Sequence, residues 1–114
     1  MTFSPFDVVA VPFPFTDAPK AKRRPALVLS SSDFGRKIGH SLMAMITSAK
    51  NAPWPLDVPI SDLEKAGLSA GSVVRMKLFT LDHRFVLRGI GTLAESDRKA
   101  VKHSLSLLLE GNIG

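Results

Sequence analysis

Apolar residues come in short blocks cut apart by Pro, Gly and Ser, and only the last stretch of the chain carries a sustained helical period. Asp7–Phe13 (DVVAVPF) and Pro25–Ser31 (PALVLSS) are almost continuously apolar, the pattern of strands covered on both faces. The segment between them, Pro14 to Arg24, is polar, basic and turn-rich, which predicts an exposed loop. His40–Thr47 (HSLMAMIT) predicts a third strand, and Leu56–Ile60 a short fourth after the turn at Pro53-Trp54-Pro55. Ser61-Asp62-Leu63-Glu64 has the form of a capping box and Gly67 that of a left-handed stop, so one helical turn is expected over 62–66. In Ser72–Phe79 the residues alternate, with Val74, Met76 and Leu78 on one side and Val73, Arg75, Lys77 and Phe79 on the other. Phe85–Ala94 extends the β pattern, with Gly89 and Gly91 marking a bulge or a tight corner.

The last element is a helix, with Ser96 as its expected N-cap, Asp97 in its first turn, and Gly111 stopping it after Glu110. Val101, Leu105 and Leu108 form its core stripe, and Leu107 and Leu109 widen that stripe beyond what one face needs. The surplus points to a second buried contact, such as a dimer partner. Strands first and a helix last predict a mainly β fold: a small barrel with a short internal helical turn, closed by a C-terminal α-helix.

Composition narrows the picture. The 114 residues, 45% hydrophobic, are read as a single domain spanning 1–114, since a chain of this size buries roughly two-thirds of its unfolded surface. The chain has no cysteine, which removes thiol nucleophiles, zinc knuckles and redox pairs. A net charge of +5 fits a polyanionic partner such as nucleic acid, although proteins of this size with other functions reach the same value. No apolar h-region precedes a cleavage site, and the longest apolar run, Val8 to Phe15, is broken by prolines. A cytoplasmic protein without a membrane partner is expected.

Three places hold candidate chemistry. Lys20, Lys22, Arg23 and Arg24 form a basic cluster that ends on Pro25 at a strand entrance. It reads either as a solvated turn or as a set of phosphate contacts, with Arg24 fixed at the edge to stabilise charge during in-line transfer. Thr47 and Ser48 close the third strand, either as terminal caps or as hydroxyls presented at a strand end. Trp54, the only tryptophan, serves either as a platform for an unstacked base or a partner side chain, or as a lid over the barrel end. His40, His83 and His103 have no metal-ligand spacing, and no HExxH helix, Walker loop or GxSxG elbow occurs, so neither metal nor cofactor is expected.

Taken in order, Asp7-Val8-Val9 leading into Pro12-Phe13-Pro14-Phe15-Thr16-Asp17, then Lys22-Arg23-Arg24-Pro25-Ala26-Leu27-Val28-Leu29-Ser30 and Ile46-Thr47-Ser48, form the first half of a series. Ser72-Val73-Val74-Arg75, Lys77-Leu78-Phe79-Thr80-Leu81-Asp82 and Ile90-Gly91-Thr92-Leu93 complete it. The series resembles the PemK/MazF-like toxins of bacterial type II toxin–antitoxin systems over nearly the whole chain. The resemblance implies an SH3-like barrel of the CcdB/PemK type, a homodimer, and an endoribonuclease that cuts single-stranded RNA, usually mRNA, without a metal. The adjacent ribose 2′-hydroxyl would attack, leaving 2′,3′-cyclic phosphate and 5′-hydroxyl ends.

The family's catalytic pair falls here on Arg24 and Thr47, and Lys22, Arg23, Ser48, Arg75 and Lys77 become candidate RNA contacts. Some relatives carry a carboxylate where this chain has Lys77, and Asp17 is a candidate substitute; Trp54 is a further accessory candidate. An acidic antitoxin is the implied partner, with operator DNA bound only through it. Two alternatives remain: a non-enzymatic gyrase inhibitor of the CcdB type, weakened by a C-terminus that lacks the Trp-Gly-Ile tail, or a degenerate barrel that only binds RNA or protein.

Overall fold

The computed structural model describes residues 2–13 and 22–111. Among these residues six strands form one antiparallel, curled sheet, a half-barrel, in the order β4-β5-β3-β2-β1-β6. They are β1 (Asp7–Phe13), β2 (Lys22–Val28), β3 (His40–Ser48), β4 (Val58–Pro59), β5 (Ser72–Asp82) and β6 (Arg88–Thr92). Among the described residues three helices accompany them: α1 (Ser32–Ile38), α2 (Leu63–Ala66) and α3 (Glu95–Glu110), with a 3-10 turn at His83–Phe85.

The sheet buries both faces, as the continuous apolar runs require. One core holds Val8, Leu27, Ala44, Ile46, Val74 and Val58 under Ala66 of α2 and Val101 of α3. The opposite face packs Val9, Val11, Ala26, Val28, Met43 and Leu81 with Phe3, Phe79 and Phe85. Because side chains alternate along each strand, Arg24 and Thr47 lie on the second face with Val11, Ala26 and Met45. Half of that face is therefore apolar and covered, and half is polar and open.

Several boundaries depart from the sequence reading. β2 begins at Lys22, so Lys22, Arg23 and Arg24 lie in a strand and not in a loop: they pair with Phe13, Pro12 and Val11 of β1. Ser31 is not part of β2. It caps α1 by accepting the Phe34 N–H, and Gly39 closes that helix in the left-handed region at φ 70°. The strand expected from Phe85 starts only at Arg88, because the Asp82 side chain caps the 3-10 turn by accepting from the Arg84 N–H.

Asp62, not Ser61, caps α2. Ser61 is engaged elsewhere: its N–H and hydroxyl donate to the buried carboxylate of Asp97, which also accepts from the Asp62 N–H. Asp97 thus spends its oxygens across the domain. α3 starts at Glu95 behind Ala94, which makes no side-chain cap, and leaves Ser96 inside the first turn.

The bulge expected at Gly89 and Gly91 is present, since Val8 pairs with Gly91 and Val9 with Gly89. It coincides with close backbone contact: a Cβ on Gly91 would meet the Ala66 carbonyl, and one on Gly67, at φ 76°, would meet that of Ile90. Gly39 shares the left-handed conformation but has open space around it. Gly67→Ala should therefore lose about 3 kcal/mol or more in urea unfolding, against about 1 kcal/mol for Gly39→Ala. Equal losses would show that backbone conformation alone, without the contact to β6, sets the requirement at Gly67.

Candidate active site

The ladder between β2 and β3 is short. It runs from Val28↔Met43 to Ala26↔Met45 and stops one residue before Pro25, whose ring nitrogen has no hydrogen to donate. Continued two steps, the same register would set Arg24 against Thr47. Instead β2 goes on with β1, through Val11↔Arg24, while β3 goes on with β5, through Thr47↔Val73. The sheet forks there, and the gap opens into a groove of about 220 Å³ lined by Arg24, Thr47, Asn51, Trp54, Arg75 and Lys77 over Phe13 and Met45.

Arg24 is exposed at the groove, and its guanidinium has no ion pair or hydrogen bond among the described residues. Thr47 is half-buried, and its Oγ1 accepts from Asn51 Nδ2 at 2.7 Å. Asn51 went unnoticed in the sequence; it lies four residues beyond Thr47 in the turn that follows β3, and nothing in its local pattern sets it apart. Lys77 is exposed, with its ammonium 5.5 Å from the centroid of the Phe13 ring. β5 carries two extra residues here, because Ala44 pairs with Leu78 while the next residue, Met45, pairs with Arg75.

Arg75 faces the groove beside Lys77, but its guanidinium is already engaged. Its Nε and Nη2 donate to the two oxygens of Asp57 at 3.2 and 3.0 Å, and Nη2 also donates to the Ala52 carbonyl at 2.8 Å. Both side chains of the pair are nearly buried, at 11% and 12% exposure. The guanidinium carbon lies 4.9 Å from the centroid of the Trp54 ring. Burial alone would push the Asp57 carboxyl up, but hydrogen bonds from Arg75 and from the Trp54 N–H, with the charge of Arg75, carry it below its ordinary value.

Other candidates fall outside the groove. Lys22 and Arg23 are exposed on β2 but do not line it, and the Ser48 hydroxyl accepts from the Lys50 N–H within the turn. Asp17 lies outside the described residues. On the apolar half of the same face, His83 Nε2 and Ser41 Oγ share a hydrogen bond at 2.7 Å, and burial lowers the His83 pKa despite the opposing charge of Asp82. Among the described residues no three His, Asp or Glu side chains come together, and no helix is long and apolar enough to cross a membrane.

Comparison with known families fixes the relationship. A model of the PemK-like, MazF-like toxins of type II toxin–antitoxin systems matches residues 4–109. The chain belongs to this family. Among solved structures, MazF from a MazE–MazF crystal (Form-III) of Deinococcus radiodurans is similar, with a TM-score of 0.77 and 22% identity over 96% of this chain and 98% of that one. Toxin MazF-mt6 of Mycobacterium tuberculosis aligns with a TM-score of 0.73 and 21% identity over 91% and 96% of the two chains. A mycobacterial endoribonuclease in complex with its cognate antitoxin gives 0.73 at 14% identity over 96% and 94%. No curated protein matches the sequence.

In this PemK/MazF-like toxin the Asp57–Arg75 pair couples stability to acid. Because the folded-state value of Asp57 lies below the ordinary 3.8, the contribution is complete above that value and is lost as pH falls through the lower, folded-state one. Asp57→Ala should cost about 3 kcal/mol near neutral pH by leaving Arg75 buried without a counter-charge. In acid the difference between wild type and variant should shrink, as read by urea unfolding at a series of pH values; a difference independent of pH would contradict the charge-based account.

Proposed function

We propose that the protein is the ribonuclease toxin of a toxin–antitoxin pair and cuts single-stranded RNA, with mRNA as its natural substrate. The ribose 2′-oxygen attacks the adjacent phosphorus, a P–O2′ bond forms and the P–O5′ bond breaks. The 2′-proton passes to a base and the departing O5′ gains a proton, giving a 2′,3′-cyclic phosphate and a 5′-hydroxyl. The observation that carries this reading is the fork in the sheet. It leaves Arg24, a guanidinium without a protein partner among the described residues, and the hydroxyl of Thr47 lining one open groove.

Arg24 offers a planar pair of donors to the non-bridging oxygens and spreads positive charge over the phosphorane as it forms. Thr47 accepts from Asn51 and so keeps its own hydrogen to donate to the same phosphate. Lys77 adds a second cation at the groove. Asp57 is committed to Arg75, and its lowered basicity suits it to hold a cation and not to take the 2′-proton.

Partners follow from the same surface. An acidic antitoxin segment lying across the groove would compete with RNA for Arg24 and Lys77, and operator DNA would be reached only through that antitoxin. A second copy of the chain would cover the outer leucines of α3, where Leu109 is 82% exposed. The reading places the toxin in the bacterial cytoplasm, where mRNA is met.

Purified protein should cleave single-stranded RNA in excess EDTA. Arg24→Ala and Thr47→Val should each lower the cleavage rate on the order of 10²–10³-fold with an unchanged circular dichroism spectrum. Cleavage that vanishes with the chelator and returns with a divalent ion would sink the metal-free chemistry. Full activity in both variants would remove the assigned pair.

A further inference from the structure

Beyond β3 the chain crosses the edge of the groove through residues 49–57, and this loop is fastened at its centre by a closed circuit. The Trp54 N–H donates to Asp57 Oδ2 at 2.9 Å, the Asp57 carboxylate accepts two hydrogen bonds from Arg75, and the Arg75 guanidinium lies against the Trp54 ring at 4.9 Å. Arg75 also holds the loop backbone at the Ala52 carbonyl. Pro53 and Pro55 flank the indole, and Leu56 turns the chain in the left-handed region at φ 69°, a conformation that branched side chains seldom adopt. The hydrogen bonds of the Trp54 N–H to Asp57, of Arg75 to Asp57 and of Arg75 to the Ala52 carbonyl close the loop without the indole, yet the side chain at 54 is the largest available and stays 45% exposed beside the cationic groove.

We propose that Trp54 is a stacking subsite for an unpaired nucleobase next to the scissile phosphate, and that Arg75 with Asp57 is a positioning pair that holds the indole for it. This rests on the ribonuclease reading and deepens it. One face of the ring is backed by the guanidinium, and the rest offers an apolar, electron-rich platform whose orientation is set before RNA arrives. Every base has a π-face, so such a platform tolerates sequence; bases stacked in a duplex cannot reach it, so it favours single strands. Neutralised by Asp57, Arg75 adds little net charge for a phosphate, and phosphate binding falls to Arg24 and Lys77.

The chain has one tryptophan and no tyrosine, so its fluorescence reports on Trp54 alone. A dye-labelled, mixed-sequence 2′-O-methyl oligoribonucleotide, which lacks the attacking hydroxyl, should bind by anisotropy and quench Trp54. Inorganic polyphosphate should bind without quenching, and the same oligonucleotide annealed to its complement should leave Trp54 unchanged. Trp54→Leu should weaken single-strand binding about ten- to a hundredfold, and Trp54→Phe should recover most of it.

Asp57→Asn separates the two roles open to Arg75. A phosphate-binding Arg75, freed of its counter-charge, would bind RNA more tightly, whereas a positioning Arg75 that loses its anchor binds it less tightly. Unchanged affinity in Trp54→Leu, tighter binding in Asp57→Asn, or quenching by an acidic apolar peptide and not by RNA would each overturn the proposal. RNA that is bound and cut by the wild type with no response from Trp54 would overturn the stacking subsite alone. A wild type that neither binds nor cuts RNA would overturn the ribonuclease reading as well.

Discussion

The buried contact between Arg75 and Asp57 decides what the groove can be. A guanidinium in the first half of β5 and a carboxylate just before the short β4 are both largely withdrawn from water, and each would be costly alone. Paired, they do two things at once. They cancel as charges, leaving Arg24 and Lys77 as the cations of the groove with no ion-pair partner among the described residues. They also span the loop between β3 and β4, drawing Ala52 and Trp54 against the sheet. One interaction therefore sets both the electrostatics of the groove and the shape of one wall.

The other wall comes from a backbone restriction. Pro25 lies just past the end of the β2–β3 ladder, and beyond it the two strands attach to different neighbours. Two sequence-local facts, a proline in β2 and a hydroxyl residue near the end of β3, thereby become one spatial fact. The proline in the Lys-Arg-Arg-Pro run limits pairing as well as fixing its neighbour, and this is how Arg24 reaches a groove while belonging to a strand.

Much of this was legible in the residues. The nearly continuous apolar run of β1 marked its limits from Asp7 to Phe13, and Gly67 and Gly111 marked helix ends because only glycine takes the left-handed turn without strain. The family series led to Arg24 and Thr47, and the structure brings both to one groove. What escaped depended on distant partners. Lys22 to Arg24 read as a loop because their composition is polar, and only pairing with Val11 to Phe13 makes them a strand. α1 has the signals of a helix at both ends, Ser31 and Gly39, but it is short and only Gly35 is buried, so no hydrophobic period announces it. Arg75 looked like a free cation because its partner, Asp57, is eighteen residues away.

The forked sheet has a consequence for turnover. A pocket roofed by a lid must open to admit substrate and again to discharge product, and such motions often set the rate. Among the described residues, two walls of the groove are strand ends fixed in one hydrogen-bonded sheet, and a third is a loop tied down at both its backbone and its indole. Widening it would require bending the sheet. On the proposed ribonuclease reading, RNA would be sorted by whether it fits between these fixed walls.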